Sequence, residues 1–185
     1  MTGPSSTLDA GAAGRCSFRV VLEHDTVDPA ARTVDRDEAI LRRTEAAGAH
    51  RRAIAGALLE LHGSRAIDAA RDTDRTLEAL SSSDLDLIVS PSLPRDGAGR
   101  RHGAPSLLVA RREGGLTRWL PVDVHNHFVT TEGNGSFLAS ELTAPLLAHA
   151  VAHAGRRLRK GGAWRGDLLR LAHHHRHLEL SLIHI

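Results

Sequence analysis

The chain has 185 residues, 41% of them hydrophobic and 25% charged, which is enough for one domain with a sizeable core. It contains no apolar run of the roughly 18 residues that a membrane helix needs, no charged-then-apolar leader at its start, and one cysteine, Cys16. A membrane span, a secretory signal, an internal disulfide and a cysteine-built zinc or iron–sulfur centre are therefore not expected, and a reducing, cytoplasmic setting is. Net charge is only +2, yet Arg156, Arg157, Arg159, Lys160, Arg165, Arg170 and Arg176 crowd a late segment that holds few acids. Such a run suits a phosphate backbone or, equally, a solvated face.

Residues 1–7 read as disordered, and Leu8–Arg15 as a short helix. From Asp35 to Gly63, Ile40, Ala47, Ile54, Leu58 and Leu61 recur at roughly helical spacing, with acids at the start and a glycine stop, so the spacing predicts a long helix. His50 lies beside its apolar stripe and faces either the core or a cleft. Arg65–Leu80 reads as a second helix ending at Ser81–Ser83. Leu85–Ser90 is a short strand broken by Pro91 and Pro94, and the glycine- and arginine-rich RDGAGRRHGAP is a loop. TTEGNGSF is a further loop, Glu141–Arg159 a helix despite Pro145, and Gly166–Glu179 a last helix. Helices alternating with short strands predict an α/β layout with a mixed sheet.

The centre of the chain is PSLLVARREGGLTRWLPVDVHNHFVT, Pro105–Thr130. Apolar runs Leu107–Ala110 and Leu120–Val124 flank Glu113–Gly115, the pattern of a β-hairpin. If the second strand runs on, alternation puts Asp123, His125 and His127 on one face and Val122 and Val124 on the other. Asp and His are poor strand formers, so three on one face mark a candidate site of clustered titratable groups. The cluster HHHRH at 173–177 puts His173 and His177 on one helical face, either as metal ligands or as solvated side chains.

LDAGAAGRCSFRVVLEHD, GAHRRAI, SDLDLIVSPSLPRDGAGRRHGAPSLLV, LPVDVHNHFVT and GDLLRLAHHHRHLE, in that order, resemble the actinobacterial RecB-like nucleases of the PD-(D/E)XK superfamily over most of residues 8–179. The resemblance implies a restriction-endonuclease-like α/β/α core, a small mixed sheet flanked by helices, in an incomplete nuclease domain. It implies a metal-dependent DNA nuclease of recombination or repair type. Asp123 and His125 would be its catalytic residues, His50 and Asp123 its metal ligands, and Mg²⁺ or Mn²⁺ its cofactor. DNA would be its partner, met by Arg156, Arg157, Arg159, Lys160 and Arg170.

At four positions the residues depart from the pattern. Ser106 stands where the family has a metal-binding aspartate, His125 where it has lysine, and Arg170 and His174 where its late helix has Gln and Tyr. A missing carboxylate removes a full charge from a cation site, so weak or absent cleavage is expected, with Asp96 as the nearby acid able to compensate. Two other readings stay open. Asp123-x-His125-x-His127 is also the pattern of a metal-dependent hydrolase that binds Zn²⁺ through both imidazoles. The basic late segment also suits a non-catalytic nucleic-acid-binding module. LSLIHI, 180–185, is identical to one reading-frame translation of a sequencing-library transposon end, so it reads as adapter-derived and the natural chain is expected to continue past Glu179.

Overall fold

A computed structural model describes Ala10 and residues 37–95, 101–127, 129–140, 150–159 and 161–180. The long helix α1, Glu38–His62, starts where Asp37 accepts a hydrogen bond from the Ala39 N–H and stops at Gly63, whose φ of 52° favours glycine. A 3-10 turn, Gly63–Arg65, leads into β1, Ala66–Asp68. The short helix α2, Thr73–Leu80, follows, capped by Asp72 at the Arg75 N–H. The Arg65–Leu80 helix expected from sequence is thus a strand and a shorter helix. The chain then forms β2, Leu87–Val89, and the hairpin of β3, Leu107–Glu113, and β4, Leu116–Val122. Gly114 and Gly115 turn the hairpin at φ 59° and 81°.

These four strands form one sheet in the order β1-β2-β3-β4, parallel between β1 and β2 and antiparallel after that. Alternation along the strands separates two cores. Leu87, Val89, Leu107 and Val109 meet Leu58 and Ile54 of α1 on one face. Ile88, Leu108 and Trp119 meet Ala79 and Leu80 of α2 on the other, along with Leu178 of the last helix, α3, Gly162–Leu180. Only the second half of α1 reaches the core; Ile40, Leu41 and Leu61 are exposed, so the apolar stripe expected over the whole helix is used in part. α3 contains the expected Gly166–Glu179 helix and packs beside β4.

Two expectations in the 130–159 region give way to strands. TTEGNGSF falls in β5, Thr130–Ala139, and the expected helix Glu141–Arg159 contributes β6, Val151–Leu158, instead. β5 and β6 pair antiparallel in a sheet of their own, from Thr130↔Leu158 to Ala139↔Val151, with a register shift between Glu132 and Ser136. Gly133 and Gly135, at φ 151° and 152°, sit at that shift, where a β-bulge calls for glycine. Every residue of β6 is exposed. The expected Leu8–Arg15 helix falls among residues outside those described apart from Ala10, as do 96–100, which include Asp96, 141–149, Lys160 and 181–185.

Candidate functional site

β4 ends at Val122, level with the start of β3, because Leu107 is opposite Val122. Asp123, His125 and His127 therefore lie in the segment that leaves the sheet rather than on a strand face, which corrects the alternation expected for them. Serine fixes this exit. The Ser106 N–H donates to Asp123 Oδ1 at 3.2 Å, its hydroxyl faces the same oxygen at 3.5 Å, and the Val124 N–H donates to Ser106 Oγ at 3.1 Å. Ser106 and Asp123, seventeen residues apart, are thereby locked side by side at the end of the hairpin.

Two other segments close around that end. Arg71, after β1, donates from Nη1 to the carbonyls of Pro91 and Pro105 at 2.9 and 2.8 Å, tying three loops together. Burial, and then Arg51, push its guanidinium below the ordinary arginine value. Ala70, Arg71 and Ser90 all have positive φ, 52°, 61° and 49°, a left-handed conformation that side chains disfavour by about 1–2 kcal/mol per residue. On the far side, α3 turns a polar seam inward at helical spacing: Asp167, Arg170, His174 and His177. A Cβ on Gly103 would come within 2.8 Å of Leu93 Cδ1 and 3.4 Å of His174 Nδ1, so glycine there lets the 101–105 segment lie against the seam. His173 and His177 donate from Nε2 to the carbonyls of His102 and Pro94, at 3.1 and 2.6 Å. These rings anchor the loop.

The space between is a cavity of about 410 Å³ lined by Arg51, Arg71, His102, Ser106, Asp123, His125, Arg170 and His174, among others. Two of its imidazoles are held toward the neutral form. Burial pushes His174 down to about 4, against the pull of Asp123. Burial also lowers His125, while Asp167 opposes the shift and Arg170 adds to it. Of the residues expected to form the site, Asp123, His125 and Arg170 line this cavity. His50, half-buried on α1, is not among its lining residues, and its neighbour Arg51 is. Arg156 and Arg157 are exposed on β6, and Arg159 is exposed just beyond it.

Beside the cavity, the imidazoles of His125 and His127 converge on Asp167. His127 Nε2 is 3.0 Å from Asp167 Oδ2 and His125 Nε2 is 3.6 Å from Oδ1, with the two rings 4.9 Å apart between centroids. Asp167 is nearly buried, its side chain 5% exposed, and Arg170 Nη2 also donates to its Oδ1. The three residues form a group that can hold a metal ion. The chain matches no protein-family profile, no curated protein and no solved structure. Asp167 is not among the residues that the sequence marks as a candidate site. It stands forty residues from His127, and its one local signal is an acid in the first turns of a helix otherwise rich in arginine and histidine.

Proposed function

We propose that this chain is a nuclease-like protein that takes a DNA phosphodiester into the cavity beside Asp123 and cleaves it weakly. One observation carries the reading: of the six positions that the resemblance aligns with functional ones, five (Ser106, Asp123, His125, Arg170 and His174, from three segments of the chain) line the same cavity, and His50 does not. The sheet order, with a hairpin added antiparallel to a parallel pair and helices on both faces, suits a restriction-endonuclease-like core. Arg51, Arg71 and Arg170 supply positive charge where phosphoryl oxygens would lie, in the fork geometry that favours arginine for phosphate. His125, whose neutral form burial favours, can accept the proton of an attacking water. Arg156, Arg157 and Arg159, exposed on and just beyond β6, offer further positive charge to a nucleic-acid backbone.

The resemblance implies Mg²⁺ or Mn²⁺, which would activate water and spread negative charge when bound. An oxygen-ligated ion of that kind does not fit around Asp123. Among the described residues Asp123 is the sole carboxylate lining the cavity, its Oδ1 already takes hydrogen bonds from Ser106, and three guanidinium groups share the space. Weak cleavage is the consequence. The test is cleavage of single- and double-stranded DNA with Mg²⁺ or Mn²⁺, by wild type and Asp123→Ala. Slow cleavage that disappears in Asp123→Ala is expected; robust cleavage indifferent to that change overturns the reading. DNA binding with no cleavage in either would instead favour the non-catalytic module. A metal-dependent hydrolase working through the Asp-x-His-x-His pattern is a second reading, favoured by the convergence of His125 and His127 on Asp167.

A further inference from the structure

We propose that His125, His127 and Asp167 form a binding site for a Zn²⁺-class transition metal, to which Asp123 does not contribute, that clamps the segment after β4 to α3.

Distances carry the argument first. Ligand atoms at about 2.0–2.1 Å from a tetrahedral zinc lie roughly 3.3 Å from one another. The two imidazole nitrogens stand 3.0 and 3.6 Å from the oxygens of Asp167, and one ligand atom from each residue falls within 4.8 Å of the others. An ion could enter with adjustments of side-chain rotamers rather than of backbone.

A second, independent observation is the state of His125. Its Nε2 is buried, has no hydrogen-bond partner, and is directed toward a carboxylate lying just beyond hydrogen-bond range. A buried nitrogen left without a partner is destabilising, and a coordinated cation would satisfy it. Hydrogen bonding alone accounts for His127 and Asp167, but not for this atom.

The donor set names the class of ion. Two imidazoles and one carboxylate suit Zn²⁺, Co²⁺, Ni²⁺ or Mn²⁺, whereas Mg²⁺ and Ca²⁺ favour all-oxygen shells. Arg170 opposes the ion by its charge, yet its hydrogen bond to Oδ1 also fixes the carboxylate rotamer and leaves Oδ2 facing His127. The other histidine cluster is a poor competitor, since His173 and His177 already spend Nε2 on backbone carbonyls. Three protein ligands leave a fourth position for water or substrate, and His125 places it at the edge of the 410 Å³ cavity. The site does not depend on the nuclease reading.

The test uses the whole chain, stripped with chelator and titrated with Co²⁺, followed by the visible absorption of the bound ion, with Zn²⁺ and Mg²⁺ as competitors. One tightly bound Co²⁺ per chain is expected, displaced by Zn²⁺ and not by Mg²⁺. His127→Gln and Asp167→Asn should each weaken binding by at least about tenfold, and Asp123→Ala by less than about twofold. His127→Gln alters a partly exposed ring, so it keeps the test sound if Asp167→Asn fails to fold. No cobalt absorption, binding unchanged in His127→Gln, or a loss in Asp123→Ala as large as in His127→Gln would each overturn the proposal. None of these readouts is cleavage, so the nuclease reading can fail while the metal site stands.

Discussion

Replacing Ser106 with aspartate rebuilds the carboxylate pair that an oxygen-ligated cation needs, and the structure sets its size. Ser106 Oγ is 3.5 Å from Asp123 Oδ1. A carboxylate there would put two negative charges about 4 Å apart, repelling by about 4 kcal/mol at the effective dielectric of a protein surface. Arg51, Arg71 and Arg170 around the cavity offset part of that, so Ser106→Asp should lose about 2–3 kcal/mol without metal. For a domain of this size the loss is a fall in Tm of roughly 4–12 °C. A cation binding the folded state alone, at a thousandfold excess over its Kd, returns about 4 kcal/mol. The assay is thermal unfolding followed by the fluorescence of Trp119 and Trp164, with and without Mg²⁺, for wild type and variant. Mg²⁺ should raise the Tm of Ser106→Asp and leave wild type nearly unmoved, and DNA cleavage should increase in the variant. An equal Mg²⁺ response in both proteins, or none in the variant, would refute the reasoning.

Three more outcomes are expected. Leu108→Ala removes a fully buried side chain between β2 and β4 and should destabilise by about 2–5 kcal/mol in chemical denaturation. His174, held near 4 when folded against 6.5 unfolded, takes up a proton more readily in the unfolded chain. Its contribution of roughly 3 kcal/mol is thus present above pH 6.5 and lost as pH falls from there through 4, and His174→Gln should flatten the stability profile in that window. Arg156→Ala with Arg157→Ala should weaken DNA binding alike across sequences and lower the salt slope by about 2, whereas a change at one sequence only would place these arginines on bases.

The parts of the fold legible in the sequence are those where one local signal went unopposed. α1 had acids at its start and a glycine at its end, and the hairpin had two apolar runs around Gly114–Gly115. β1 was hidden because three residues between helical stretches carry no periodicity, and only pairing with β2 makes Ala66–Asp68 a strand. β5 looked like a loop because of Gly133, Asn134 and Gly135, the residues a bulged ribbon uses, and the alanines in VAHAGRRL mimicked a helix in β6. The site divided in the same way. Asp123 and His125 stand out by their spacing, while Asp167 and Arg71 matter through contacts across the fold, which their own neighbourhoods mark weakly or not at all.

No residue of the β5–β6 ribbon belongs to either core cluster. Among the described residues the ribbon has no third strand, and such a pair is marginally stable in water, so its backbone amides should exchange with solvent far faster than those of β2 or β3, by openings that leave the rest of the molecule intact. The cationic arm is then an element that opens locally rather than a fixed wall. A polyanion laid along Arg156 and Arg157 would slow its exchange selectively, leaving a footprint of binding on the time axis even where no atom of the sheet moves.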